Sequence, residues 1–130
     1  MEPTAVIDRY LSLIADPSSE PGQIGELLAP GMRFVERPNL VNPGGTERSS
    51  VQMLKSLERG RELVHDQRFD VLDHLVAGDR VVTRAVWTGT LADGSRLRAD
   101  SSMHFTLRDG RIARQENYDC FHPAAAGAGG

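Results

Sequence analysis

A single cysteine, Cys120, stands in a chain of 130 residues. That excludes an internal disulfide and fits a reducing cytoplasm, the expected location. His65, His74, His104 and His122 show neither HxxxH nor HExxH spacing. One thiol cannot build a thiolate centre, so no metal site is expected. Neither GxGxxG nor a P-loop occurs, and no cofactor is expected either. No apolar run approaches the roughly 18 residues that a membrane span requires. The opening MEPTAVIDRY has neither the basic start nor the apolar stretch of a secretory signal. Lysine is nearly missing as well: of 15 basic residues all but Lys55 are arginine. With a net charge of -3, nothing advertises nucleic acid or an anionic membrane as partner.

What is present is ordinary for a globular protein, with 39% apolar and 25% charged residues. At this length one domain buries roughly two-thirds of its extended surface. A single domain over 1–122 is expected, followed by a low-complexity Ala/Gly tail over 123–130.

Apolar residues recur at helical spacing from Thr4, a candidate N-cap, to Asp16, and Pro17 ends the run. A shorter helix fits Gly22 to Ala29, with Ile24, Leu27 and Leu28 inward. Met32 to Arg37 reads as a strand that Pro38 ends. Thr46 is expected to cap a third helix through about Arg61, its stripe formed by Val51, Met53, Leu54, Leu57 and Leu63. The period then changes from 3.6 to 2. Four long strands follow, Val64 to Ala77, Arg80 to Leu91, Arg96 to Leu107 and Arg111 to Phe121. Gly78-Asp79, Asp93-Gly94 and Asp109-Gly110 separate them as hairpin signals. The expected class is α+β, with three N-terminal helices on the concave face of a strongly curved, mainly antiparallel sheet. The second long strand is apolar on both faces, Val81, Ala85 and Trp87 on one and Val82 and Val86 on the other. The second face is expected to meet another subunit, making a homodimer.

Turn length decides which side chains share the concave face. A two-residue turn at Asp109-Gly110 pairs Leu107 with Ile112 and puts Gln115, Asn117 and Asp119 on the face of His104. A three-residue turn pairs Leu107 with Arg111 and Met103 with Gln115, which moves that trio beside Met103 and Phe105. Apolar matching across the preceding ADG turn favours the three-residue form, pairing Val81 with Phe105 and Thr83 with Met103. The concave face then carries Val81, Thr83, Ala85, Trp87, Met103 and Phe105, with Gln115, Asn117 and Asp119 at a polar end. Phe34, Met53, Leu57 and Tyr10 complete the walls of a small-molecule pocket.

The segments DRYLSLIAD, LLAPGMRFVERP, GGTERSSVQML, GDRVVTRAVWTGTL and HFTLRDGRIARQENYDCF resemble those of the NTF2-like superfamily, in particular SnoaL-like polyketide cyclases and ketosteroid isomerases. The resemblance covers nearly the whole chain and implies a cone with a pocket between helices and sheet. It implies an oxyanion-hole role for Tyr10 and a general-base role for Asp119. The steroid-isomerase base falls at Arg37 and the second oxyanion donor at Met103, so steroid isomerisation is not implied. The epoxide-hydrolase acid of the superfamily falls at Asn117.

Taken as residues alone, Asp119 is either a solvated carboxylate or a base whose pKa burial raises. Tyr10 is either a core residue or a donor to a charged oxygen. Arg37 is either an ion-pair partner of Glu36 or a clamp on an anion or carbonyl. His104 belongs to the outer face near a subunit contact, or serves as an alternative acid–base group. Trp87 reads as packing. Cys120 reads as a small buried apolar residue, and neighbouring His65 and Asp66 point to opposite faces of a strand. The expected function is proton abstraction next to a carbonyl of a small apolar molecule, leading to cyclisation or isomerisation. A ligand-binding or assembly module without chemistry is one alternative. A hydrolase holding water between Asp119 and Arg37 is another.

Overall fold

The computed structural model describes residues 1–123. The expected tail therefore falls, Pro123 apart, outside the described residues. The first helix, α1 (Pro3–Ala15), begins on Pro3, whose fixed φ suits the first helical turn. Glu2, not Thr4, holds the N-cap position. Val6, Ile7, Tyr10, Leu11 and Leu13 form its buried stripe.

Three sequence expectations shift in the next segment. The second helix, α2 (Pro21–Gly25), is shorter than its pattern, because Leu28 and Ala29 open strand β1 (Leu28–Glu36). Leu28 pairs with Ile112, and this long-range partner outweighs a short helical pattern. Thr46 caps nothing: it starts an unforeseen strand, β2 (Thr46–Ser49), opposite Glu36. Ser49 caps α3 (Ser50–Leu63) instead, its hydroxyl accepting from Gln52 N while the Gln52 side chain accepts from Ser49 N. The α3 stripe is narrower than expected. Met53 is buried and Leu54 and Leu57 partly so, whereas Val51 and Leu63 are exposed.

Four strands follow at nearly the expected limits, β3 (Val64–Ala77), β4 (Arg80–Leu91), β5 (Arg96–Arg108) and β6 (Arg111–Phe121). The sheet order is β2-β1-β6-β5-β4-β3, antiparallel except for the parallel pair β1/β6. Across β4 and β5 the register is the expected one, Val81 with Phe105 and Thr83 with Met103. The β5/β6 tip differs from expectation. Asp109 and Gly110 both have positive φ, a two-residue turn, and Leu107 pairs with Ile112. Thr106 then pairs with Arg114, so Ala113 is an extra residue, a bulge. That bulge returns Gln115, Asn117 and Asp119 to the concave face, opposite Phe105, Met103 and Ser101. The expected face is right, but by another route, and each partner is offset by two.

Lengths explain why the concave face is only half filled. A 13-residue helix such as α1 is about 20 Å long, whereas strands of a dozen residues extend about 40 Å before bending. α1 covers one end of the sheet. There Tyr10 packs edge-on against Phe105 (centroids 6.1 Å apart) within a core that includes Ile7, Val81 and Ile112. Towards Trp87 and Phe121 the sheet runs on beyond the helix.

Candidate functional site

Two adjoining lobes open over the concave face, one beneath the helices and one beyond them. One, of about 270 Å³, lies under α1 and α3 and is bounded by Tyr10, Met53, Leu57, Arg48 and Gln115. The other, of about 290 Å³, reaches the far end of the sheet and is bounded by Ala99, Ser101, Asp119 and Phe121. Phe34, Glu36, Gln67, Phe69, Trp87, Met103 and Asn117 line both. Small side chains at Ala99 and Ser101 leave the space that Phe105 fills further along β5. Gly89 adds to it: a Cβ there would stand 2.5 Å from Val64 Cγ1 and 2.9 Å from the Trp87 ring. Only glycine lets that indole lie along the strand.

A hydrogen-bonded chain runs from core to hollow. The Tyr10 hydroxyl donates to Gln115 Oε1 at 2.5 Å, and Gln115 Nε2 donates to Asn117 Oδ1 at 3.0 Å. Complete burial pushes the Tyr10 phenol above its ordinary pKa. Its one proton is therefore committed to an amide. Asn117 Nδ2 has no acceptor among the described residues, so the free donor that reaches the hollow belongs to Asn117.

Asp119 stands two residues further along β6 on the same face. Ser101, its cross-strand partner, donates from its hydroxyl to Asp119 Oδ1 at 2.6 Å. Burial raises the Asp119 pKa, the Ser101 bond lowers it by less, and the Glu36 carboxylate raises it slightly. Glu36 accepts from Asn39 Nδ2 at 2.9 Å and stands 3.7 Å from Arg48. The hollow thus has an acid held by a single hydroxyl, a second acid, one guanidinium and one free amide donor. About 7 Å separates alternate residues of a strand. From that spacing Asn117 can address a carbonyl oxygen while Asp119 reaches a neighbouring C–H.

Several sequence expectations meet here and several do not. Asp119, Asn117, Gln115, Tyr10, Phe34, Met53, Leu57, Trp87 and Met103 all border the hollow. Val81, Thr83, Ala85 and Phe105 share its face but are buried in the core, lining neither lobe, because α1 sits directly on them. Arg37 is a clear correction. One position past Glu36 its side chain turns to the convex face, ion-pairs with Glu116 and lies over the Tyr118 ring, 5.8 Å from the centroid. It can neither clamp a ligand nor hold water against Asp119, and the carboxylate it pairs with is not Glu36. His104 is also convex, edge-on to Tyr118 at 5.0 Å and 3.1 Å from Ser102 Oγ. Cys120 is exposed, not buried.

The reading of the sequence missed Glu36, Arg48, Gln67 and Phe69. Period-2 alternation from Phe34 points directly to Glu36. Arg48 was hidden because β2 read as part of a helix. Gln67 depends on a bulge beside Asp66, whose φ is 51°. The Gln67 carboxamide accepts from Trp87 Nε1 at 3.0 Å and donates to Ile14 O at 3.3 Å, tying the indole to the end of α1.

Known proteins with this geometry share the fold. A hypothetical protein of ketosteroid isomerase-like fold from Catenulispora acidiphila, in complex with trimethylamine, superposes with a TM-score of 0.78 at 16% identity. That match covers 95% of this chain and 92% of the neighbour. IdmH of Streptomyces antibioticus, provisionally assigned as a polyketide cyclase, gives 0.75 at 23% identity and covers 92% of each chain. TerC, co-crystallised with polyporic acid, gives 0.75 at 21% identity and covers 90% of each. At these identities the likeness speaks for the fold alone. No protein of curated function matches the sequence. No helix among the described residues is long and apolar enough to cross a membrane. The model of the SnoaL-like domain matches residues 7–115, from α1 into β6 and ending four positions before Asp119. This chain is a member of the SnoaL-like domain family.

Proposed function

We propose that the chain is a pocket enzyme in which Asp119 takes a proton from the carbon beside a carbonyl of a small, largely apolar molecule, leading to cyclisation or isomerisation. The observation that carries this reading is the environment of Asp119. Its carboxyl is partly withdrawn from water, its pKa is raised, and among the described residues Ser101 alone donates to it. A raised pKa makes a better base at neutral pH while leaving the group ionisable. Asn117, held in place by Gln115 and Tyr10, donates to the oxygen that gains charge. Tyr10 supports that donor from behind and does not touch the oxygen itself. The chemistry uses side chains alone.

Deuterium exchange into the α-positions of a panel of cyclic ketones, followed by NMR, tests the reading without knowledge of the natural substrate. Asp119→Asn should slow exchange by roughly 10²- to 10⁴-fold. Unchanged exchange removes the proposal. A binding module without chemistry is the second reading, favoured by one observation: the Tyr10 proton is already engaged by Gln115. Ligand binding with no exchange in the wild-type chain selects it.

The convex face enters the proposal as the docking surface for a second copy. Leu75 and Tyr118 are exposed there: Leu75 is in one cross-strand row with half-buried Val82 and His104, and the His104 ring meets the Tyr118 ring. Leu75→Asp should lower the solution mass measured by light scattering; an unaltered mass rejects that surface.

A further inference from the structure

Aromatic residues are scarce in this chain, with four Phe, two Tyr and one Trp. Four of those seven, Phe34, Phe69, Phe121 and Trp87, line the single lobe that contains Asp119. Trp87 and Phe121 meet edge to face at 76° with centroids 6.2 Å apart, so two walls of the lobe stand nearly at right angles. Both charged residues of this lobe, Glu36 and Asp119, are acids. Over the two lobes together, two carboxylates face one guanidinium, that of Arg48, which leaves one negative charge without a partner. A largely apolar ligand that carried no cationic group would fill the space between the rings and leave that charge unanswered. A hard metal ion would ask for six or more oxygens where the lobe offers mostly rings.

We infer that the lobe formed by Phe34, Phe69, Trp87 and Phe121 with Glu36 and Asp119 is an aromatic cage for a protonated or methylated amine, and that the ligand of this hollow carries such a group. Ring faces attract a cation through their quadrupoles, and the attraction grows where water is excluded. The spare carboxylate charge supplies the Coulombic part. The positive charge of a cation between the rings also offsets the desolvation and the Glu36 repulsion that Asp119 otherwise bears. The inference rests on the hollow being a ligand site, the premise of the proposed function, but not on any proton transfer within it.

Trp87 is the only tryptophan and forms part of the cage, so its fluorescence reports occupancy directly. The probes are choline and 3,3-dimethylbutan-1-ol, its uncharged carbon isostere. Choline should change the emission saturably and bind roughly tenfold or more tighter than the alcohol. Asp119→Asn should weaken choline and leave the alcohol unchanged. Phe121→Leu, which keeps bulk and removes the ring, should also weaken choline, with circular dichroism confirming a folded chain. Equal binding of the two probes, or no response to either by the folded wild-type chain, overturns the cage. Choline selectivity without ketone exchange keeps the cage and removes the acid–base reading. Exchange without choline selectivity does the reverse.

Discussion

The two ends of one sheet face are built differently although strands β4, β5 and β6 run through both. At one end Val81, Thr83 and Phe105 lie under α1 and are almost completely buried. At the other, Trp87, Ser101 and Asp119 border open space. The alternation of side chains is the same in both halves; what differs is the cover. Helix α1 ends at Ala15, where Gln67 ties its last turn to Trp87, and beyond that point small residues on β5 leave a volume unfilled. The difference teaches that the pocket is the uncovered remainder of a core. Its polar groups are tolerated because it is not closed.

Truncations should cost very different amounts at the two ends. Phe105→Ala removes a ring buried against Tyr10 and should cost about 3–5 kcal/mol. Trp87→Leu, on the open side, should cost less than half of that, since the lost volume joins an existing cavity. Chemical denaturation of both variants measures the contrast, and equal costs would mean that the far end is packed as tightly as the near one. Tyr10→Phe probes the seam between the halves. It leaves Gln115 Oε1 without its donor in a buried position, at about 1–3 kcal/mol. It should also lower exchange activity by loosening Asn117, while a Phe variant of unaltered stability and activity would break the proposed relay.

The smallest effect is a pH dependence. Because the folded pKa of Asp119 is raised, the folded chain holds that proton more tightly than the unfolded chain. From the ordinary value of 3.8 upward, until the folded group too has ionised, stability therefore falls with rising pH. Asp119→Asn removes this contribution. Its melting temperature should exceed that of the wild type at neutral pH and converge with it below pH ~3.8. A variant that is less stable at every pH would show that Ser101 outweighs desolvation at this carboxyl.

Long periodic elements were legible from residues alone. The period-2 pattern of β3 to β6 and the stripe of α1 each extend over a dozen positions, so local errors average out. Short segments were not: Leu28-Ala29 and Thr46–Ser49 each have too few residues for a period, and a strand partner distant in sequence decided them. Of the residues bordering the hollow, Asp119 and Asn117 were picked out by face and resemblance together, and Trp87 by face alone. Arg37 was taken from the position the resemblance gives the steroid-isomerase base, although alternation from Phe34 assigns the inner face to Glu36 and the outer to Arg37. Arg48, on the unforeseen strand, is the guanidinium that lines the hollow.

The sequence by itself determined the α+β class, the order of helices and meander, and the alternation that puts an acid and two amides on one strand face. Those properties follow from local periodicity and turn chemistry, which act over a few residues. Only the tertiary structure decided that a bulge at Ala113 turns that face inward, that Arg48 and not Arg37 enters the hollow, and that four aromatic residues line one lobe with Asp119. Each of these depends on groups far apart in the chain meeting at one place, and no local pattern encodes where a helix ends over a sheet.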